Sequence, residues 1–444
     1  ATASGLTLWA HLWIDTWWVG QLDAAEAALA ALSIATFTRW VFSSVASLVG
    51  TGLTALVARY VGAGRLTAAA YVGFQGIIGA LLLSVVVAVI GYGYAPVVFD
   101  LVSDDQRVIE AGVVYVRIFW VGGSTVLLGR AAEAVFRARG NTTITFVIAL
   151  AGLGINAVLD PMLMFGWWGM PKMGVAGVSL ATVIGAGITT LFSLAVLVRL
   201  NWISTQRPSD DQLRLHDKTL ILRPILGCDV SIYRRIARVG LPAAYSGVFF
   251  SVIYLFISKI VAETGGTDAQ AALGIGHRGE SVAFMVCLGF SAAAASIVGR
   301  KLGEENPQAA HRAAWRATIH CAIISAVWAG VMFFFGDVIV SLIVSEGPTR
   351  SYAVSYYAIN AIAQVPQAVE LVLEGAFGGA GMTMPPMIIT VVLSAIRIPI
   401  AYYLTKDFGM GVEAIWWALA LTATLRGVAM AIWFQRGTWM RANV

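Results

Sequence analysis

The sequence predicts an all-α integral membrane protein: twelve transmembrane helices in two six-helix, pseudo-symmetric lobes. Composition, the recurrence of long apolar runs and an internal repeat carry that prediction. Of the 444 residues, 59% are hydrophobic and only 12% charged, whereas soluble domains carry about 25% charged residues. The mean hydropathy of +0.80 fits a chain that spends most of its length in lipid. A helix needs about 20 apolar residues to cross a bilayer. Such runs recur from end to end, as in Val72–Ile90, Val178–Val198 and Met387–Leu404. A membrane barrel needs alternating strands instead, and these continuous runs argue against one.

In chain order the expected spans are 1–21, 28–60, 68–97, 107–136, 143–166 and 173–200, then 239–262, 269–300, 308–335, 349–379, 384–405 and 411–435. The first already reads as helix interior from Ala1 to Trp18, with no cleavable signal peptide in view. Glycine and proline inside the spans are tolerated, as is usual in membranes. Residues 1–200 are the expected N-lobe, 201–238 a cytoplasmic connector, and 239–444 the C-lobe.

The loops alternate in charge. One set holds Arg59, Arg65, Arg137, Arg139, Arg300, Lys301, Arg312, Arg316, Arg436 and Arg441, and the connector adds Arg207, Arg214, Lys218, Arg223, Arg234, Arg235 and Arg238. The other set has few cations (Arg107, Lys172, Arg350 and Lys406) and carries acids such as Asp23, Glu26, Asp100, Asp104, Asp105, Glu263 and Glu346. The positive-inside rule places the connector and the C-terminus in the cytoplasm, and an even helix count places the N-terminus there too. The net charge of +5 is thus assigned to one set of loops and not to nucleic-acid binding.

The halves align on a constant offset of 241 residues. Ala30-Ala31-Leu32 falls on Ala271-Ala272-Leu273, Arg59 and Gly62 on Arg300 and Gly303, and Glu133, Gly140 and Thr142 on Glu374, Gly381 and Thr383. A register held over so long a stretch indicates duplication. Six helices per half give both halves one orientation, so substrate is expected between them. The offset also puts Pro242 on Ala1, so the chain is expected to begin where its first helix should, without a leader.

Charges within spans cost about 2.5–3.5 kcal/mol each on insertion scales and usually serve a purpose. Helical spacing puts Ser4, His11, Asp15 and Trp18 on one face of the first helix, with Trp9, Trp13 and Trp17 roughly opposite, toward lipid or packing. Asp160 has Asn156 one turn before it and Pro161 after it, a proline that should bend the helix and free a carbonyl. Both aspartates lie one or two turns from the outer ends of their helices, at a depth where they can meet. Two carboxylates in low dielectric cannot both stay ionised cheaply. Such a pair suits ion coupling, through a proton or through Na⁺ shared with neutral oxygens. Asp15, Asn156 and Asp160 pair with Phe256, Arg397 and Ala401, so the cluster is a property of the first half alone.

Glu133, flanked by Arg130 and Arg137, reads as a structural ion-pair site. Glu370 and Glu374 share a helix face that Arg397 can serve. His277, Arg278 and Glu280 lie mid-membrane in the eighth helix, where Arg39 is the counterpart of Glu280. Glu280 either meets a cationic substrate in the cleft, with aromatic rings adding cation–π attraction, or is closed in a pair with Arg39 or Arg278. Asp15, Trp18 and Glu280 are the candidate substrate contacts. Cys228, Cys287 and Cys321 form neither a metal motif nor a disulfide framework and read as neutral thiols. His216, His311 and His320 are isolated. No nucleophile motif, glycine phosphate loop or Walker sequence occurs, which argues against an enzyme or an ATP-driven pump.

Ile14-Asp15-Thr16-Trp17-Trp18-Val19-Gly20, Val57-Ala58-Arg59-Tyr60-Val61-Gly62-Ala63-Gly64, Phe136-Arg137-Ala138-Arg139-Gly140-Asn141-Thr142, Asn156-Ala157-Val158-Leu159-Asp160-Pro161, Met173-Gly174-Val175-Ala176-Gly177 and Val239-Gly240-Leu241-Pro242 together resemble the multidrug and toxic compound extrusion (MATE) family. The resemblance covers nearly the whole chain in order. It implies a V-shaped two-lobe transporter that exports cationic amphipathic compounds in exchange for H⁺ or Na⁺, without a cofactor. It implies an N-lobe cation site at Asp15, Asn156 and Asp160, with Thr182 at a sixth-helix threonine. Gln367 stands where another branch has a tenth-helix aspartate, which speaks against a C-lobe ion site; Glu370 lies one turn on.

The expected function is therefore a secondary active multidrug efflux antiporter of the plasma (cytoplasmic, inner) membrane. A flippase for lipid-linked saccharides and a non-transporting scaffold or receptor are the alternatives. The expected partners are small cationic substrates and membrane lipid, not nucleic acid, and the expected state is a monomer.

Overall fold

The computed structural model describes residues 14–101 except 16, 23 and 24, then 105–215 and 227–442. Ser4, Trp9, His11, Trp13, Asp23, Asp104, His216, Lys218 and Arg223 lie outside the described residues. Helix α1 is described at 14, 15 and 17–19. It is followed by α2 (Ala25–Gly62), α3 (Leu66–Asp100), α4 (Gln106–Ala138), α5 (Thr142–Phe165) and α6 (Val175–Arg199). A one-turn helix, Asp210–Leu213, leads to the segment Val230–Gly303. Gly266, at φ 66° and ψ −156°, breaks that segment into α7 (230–265) and α8 (267–303). Only glycine adopts that conformation freely, so the turn between two long helices needs no further loop. Then come α9 (Pro307–Ser341), α10 in two pieces (Pro348–Ala361 and Gln364–Ala380), α11 (Met384–Lys406) and α12 (Val412–Gln435). Among the described residues, nine helical segments are long and apolar enough to cross a membrane, and the 74-residue segment is long enough to cross twice.

Three boundaries differ from the sequence reading. The ninth span runs on to Ser341, six residues past its expected end. The tenth is interrupted near Ile362 and Ala363, because Pro366 lacks the donor that the Ile362 carbonyl would need. The connector ends at Asp229, not at residue 238, because α7 begins at Val230. The cations Arg234, Arg235 and Arg238 made 230–238 look like loop. Ile232, Ile236 and Val239 nevertheless form one apolar face, and they are buried in a core with Leu53, Leu56, Tyr60, Val72 and Phe136. The start of α7 is pinned. Asp229 caps it by accepting from the Ser231 N–H at 3.1 Å, and Gln75 of α3 accepts from the Asp229 N–H at 3.1 Å and the Tyr233 hydroxyl at 2.9 Å.

The repeat is visible in the backbone. Gly140 and Gly381, one offset apart, end α4 and α10 in the same left-handed conformation, at φ 83° and 79°. Where α2 and α8 cross near the connector, Gly62 packs on the Arg300 carbonyl and Gly303 on the Arg59 carbonyl. The offset maps each contact onto the other, so this is a self-complementary seam about the pseudo-twofold axis. Gly52 against Ile236 and Gly240 against Leu48 extend it. Arg59 and Arg300, expected as loop charges, belong to the seam. Arg59 donates to the carbonyls of Ala380 and Ala442, both at 3.1 Å, and the Arg300 guanidinium lies against Gly140. A Cβ at Gly62 or Gly303 would meet backbone, which cannot swing aside. Gly62→Ala and Gly303→Ala are each expected to cost the purified protein about 1–3 kcal/mol of stability through overpacking. Gly154→Ala, which meets nothing within 4 Å, should be neutral or slightly stabilising in the same melting experiment.

Candidate functional site

The N-half cluster is built from helices far apart in sequence. Asp15 of α1 and Asn156 and Asp160 of α5 are each 0% exposed. The Asn156 amide donates to Asp160 Oδ1 at 3.2 Å, and Asp15 and Asp160 face one another. Arg39 of α2 reaches Asp15 Oδ2 at 3.4 Å and the Tyr115 hydroxyl of α4 at 3.3 Å. The Ser179 hydroxyl of α6 donates to the Tyr115 carbonyl at 2.7 Å, holding that helix in register. Thr182 donates to Val178 within α6 at 3.0 Å and keeps its acceptor lone pairs. It lies one turn from Gly185, which packs beside Asn156. Trp18, one turn beyond Asp15, is boxed edge-on by Trp17, Phe165 and Trp167, closing this end of the cluster. Trp17 points outward, as its face predicts.

Among the described residues, two carboxylates, those of Asp15 and Asp160, and one guanidinium, that of Arg39, meet in this buried cluster. Among the described residues, Asn156 Oδ1 and Asp160 Oδ2 are buried acceptors without a hydrogen-bond partner. Oxygens of that kind fit a proton or a small monovalent cation, since a buried acceptor left unmade is costly.

The offset turns this site into a second one in the other half. Tyr115 maps onto Tyr356, Arg39 onto Glu280 and Asn156 onto Arg397. The Tyr356 hydroxyl is directed at Glu280, and His277 packs edge-on against Tyr254 and Tyr356. Arg397 is buried, donates to Thr422 at 2.9 Å and lies 5.6 Å over the Tyr254 ring. Arg426 of α12 pairs with Glu370 at 3.4 Å and donates to Ser394 at 3.1 Å. Two arginines thus share this cluster with Glu280 and Glu370. Two expectations change here. Arg39 is engaged by Asp15 in the opposite half, so it is not the partner of Glu280. Arg426, not Arg397, makes the ion pair of Glu370. Cys287 and Cys321, far apart in sequence, meet at 3.4 Å between α8 and α9 as free buried thiols.

A cavity of about 370 Å³ lies between the halves, just inside the seam. Ser43, Ser47, Thr51 and Thr54 of α2 line it, with Arg130, Glu133 and Arg137 of α4, Ser291 of α8 and Glu374 of α10. Glu133 is held by Arg130 at 3.3 Å and Arg137 at 2.5 Å, the ion-pair site its spacing predicts. Asp15, Trp18 and Glu280 are not among the lining residues.

The family model described as MatE matches the chain twice, at residues 2–162 and 242–403. The chain belongs to the MatE family. The two matches fall on the duplication itself and leave the connector outside. MATE proteins are transporters, not enzymes. Relatives include a probable multidrug resistance protein NorM of Thermotoga maritima, 25% identical over 91% of this chain and 84% of that protein. An FAD transporter of Shewanella oneidensis is 23% identical over 95% of this chain and 89% of that protein. Among solved structures, a crystal structure of MATE in the straight conformation superposes with a TM-score of 0.86 over 99% of this chain and 94% of that one, at 20% identity. That likeness extends the twelve-helix, two-lobe MATE fold to this chain.

Sequence reasoning found the acids of the N-half cluster and missed its cation and its tyrosine. Arg39 was legible only as the opposite of Glu280, and nothing in spacing links α2 to α1. Tyr115 carries no local signal at all. Arg426 could have been found, since it is a charge inside an apolar span.

Proposed function

We propose that this MATE transporter is a secondary active multidrug efflux antiporter. It exports cationic amphipathic compounds, and the ion site is Asp15, Asn156 and Asp160 with Thr182 beside them. The observation that carries this reading is the meeting of two buried carboxylates, Asp15 of α1 and Asp160 of α5, beside oxygens of Asn156 and Asp160 that have no hydrogen-bond partner among the described residues. A proton or a monovalent cation held there would tie ion occupancy to the packing of α1 against α5. The names of the relatives, multidrug resistance among them, agree with export of small molecules.

Of the two ions, the geometry favours H⁺. A proton needs one oxygen, and Asp160 Oδ2 supplies it. Na⁺ needs a cage of oxygens, but Arg39 already claims one oxygen of Asp15 and the Asn156 amide claims one of Asp160. The lobes are 1–200 and 230–444, joined by 201–229; both termini and the connector face the cytoplasm of the plasma membrane, and the working unit is a monomer. The test is transport of a fluorescent organic cation in proteoliposomes. An imposed pH gradient should drive it and an imposed Na⁺ gradient should not. Movement under neither gradient would remove the antiporter reading, and movement under Na⁺ alone would reverse the choice of ion.

A further inference from the structure

Trp315 and Arg316 of α9 sit at a fixed depth in the membrane. The stretch 317–336 that follows them holds no Asp, Glu, Lys or Arg and is closed by Asp337. Those 20 residues rise about 30 Å as a helix, the thickness of the hydrocarbon core. The charges at the two ends of the stretch put Trp315 and Arg316 at one membrane–water interface. The end of α12 reaches the same level. The Trp315 indole N–H is shared between Gln435 Oε1 and His311 Nε2, both at 3.2 Å. His311 in turn stacks on Phe434 and Trp439, at 5.7 Å and 6.3 Å between ring centres. These contacts fix the indole at the rim of a groove of about 530 Å³ between α9 and α12, lined by Trp315, Ala431, Ile432, Gln435 and Arg436.

The groove joins two unlike surfaces. Ala431, Ile432 and the indole face are apolar. Arg436 lies on its rim, and Arg312 and Arg316 flank Trp315 on α9. All three arginines are exposed, and none makes an ion pair among the described residues. Neither 306–336 nor 414–442 contains an acid, so nothing on these two helices neutralises them. The feature is not part of the duplication. The offset of 241 puts Tyr71, Phe74, Gln75 and Ala195 at the places of Arg312, Trp315, Arg316 and Arg436, without a charge or an indole. At this depth an apolar groove suits an acyl chain, and the planar fork of arginine donors matches a phosphate. We propose that the groove binds an anionic glycerophospholipid, with an acyl chain along Ala431 and Ile432 and its phosphate held by the rim arginines. Basic clusters beside a spanning helix recognise anionic headgroups in this way. A zwitterionic lipid would bring its own cation against the three arginines.

The experiment is native mass spectrometry of the purified, delipidated full-length chain, which resolves lipids bound one at a time. Phosphatidylglycerol is compared with phosphatidylcholine carrying the same acyl chains. The wild-type chain should bind its first phosphatidylglycerol at least fivefold tighter. The triple variant Arg312→Gln, Arg316→Gln, Arg436→Gln should lose that preference. A second triple variant, Arg199→Gln, Arg234→Gln, Arg238→Gln, removes the same charge from exposed positions elsewhere and should keep it. Ala431→Phe fills the groove without touching charge and should weaken phosphatidylglycerol about fivefold. Equal affinity of the wild-type chain for the two lipids would overturn the proposal, as would equal losses in the two triple variants. sn-Glycerol 3-phosphate, which has the phosphate and no acyl chain, should not bind at about ten times the lipid concentration. Its binding would make this a site for free phosphate and overturn the lipid assignment. The wild-type comparison decides the matter even if a variant does not fold.

Discussion

Asp160→Asn is expected to abolish gradient-driven export while leaving the protein folded. The substitution keeps the shape of the side chain and removes its charge. The N-half cluster would then keep Asp15 against Arg39, at 3.4 Å, and lose the carboxylate proposed to take the ion. An ion that no longer binds there cannot shift the balance between conformations. Export driven by a gradient should fall at least tenfold, to the level of empty liposomes. The melting temperature should stay near that of wild type or rise, because one of two adjoining buried carboxylates has been removed. Asp15→Asn should behave differently. It removes the carboxylate in direct contact with Arg39, leaving the guanidinium to the Tyr115 hydroxyl and the Phe119 ring, and should lower stability as well as export. Normal gradient-driven export by Asp160→Asn would sink the proposed coupling site.

The largest loss of stability is expected from Arg426→Met. Arg426 and Glu370 are each 4% exposed and 3.4 Å apart in the core of the C-half. Breaking a buried pair from one side costs about 3–5 kcal/mol, because a charge is left without compensation. Methionine fills much of the volume, so the loss reports charge and not a cavity. Adding Glu370→Gln should recover much of it, since the amide needs no counter-charge. The double-mutant cycle in detergent melting should show a coupling of at least about 1 kcal/mol. Additive losses would mean that the two side chains do not depend on each other. The same cycle between Arg397 and Glu370 should show less coupling, because Arg397 is held by Thr422 and the Tyr254 ring.

The two predictions rest on charges that the duplication placed at equivalent depth with different outcomes. Among the described residues the N-half cluster brings Asp15 and Asp160 to one arginine, and the C-half cluster brings Glu280 and Glu370 to two. The seam of Gly62 and Gly303 is identical in both halves, as is Tyr115 with Tyr356. The shared glycines thus serve contact between the halves, while the shared tyrosines sit in clusters whose other members have diverged. Glu133 and Glu374 follow the same logic within the central cavity, where the acid survives and its two cations do not.

Much of this was written in the sequence. Apolar runs set the spans because lipid cannot satisfy an open backbone, so hydropathy and topology are tightly linked. The constant offset gave the two halves, and charges inside spans marked Asp15, Asp160, Glu280, Glu370 and Arg397 as unusual. Local spacing settled Glu133, whose partners are one turn away on its own helix. What spacing could not decide was every pairing between helices. Arg39 with Asp15, Arg426 with Glu370, Cys287 with Cys321 and the start of α7 against α2 and α3 all depend on which helix faces which, and in a bundle that is set by packing. The sequence by itself determined that this chain spans the membrane as a duplicated MATE transporter with acids where lipid would forbid them. Only the tertiary structure decided which of those acids meet which arginine, because charge balance in a low dielectric is a property of neighbours in space.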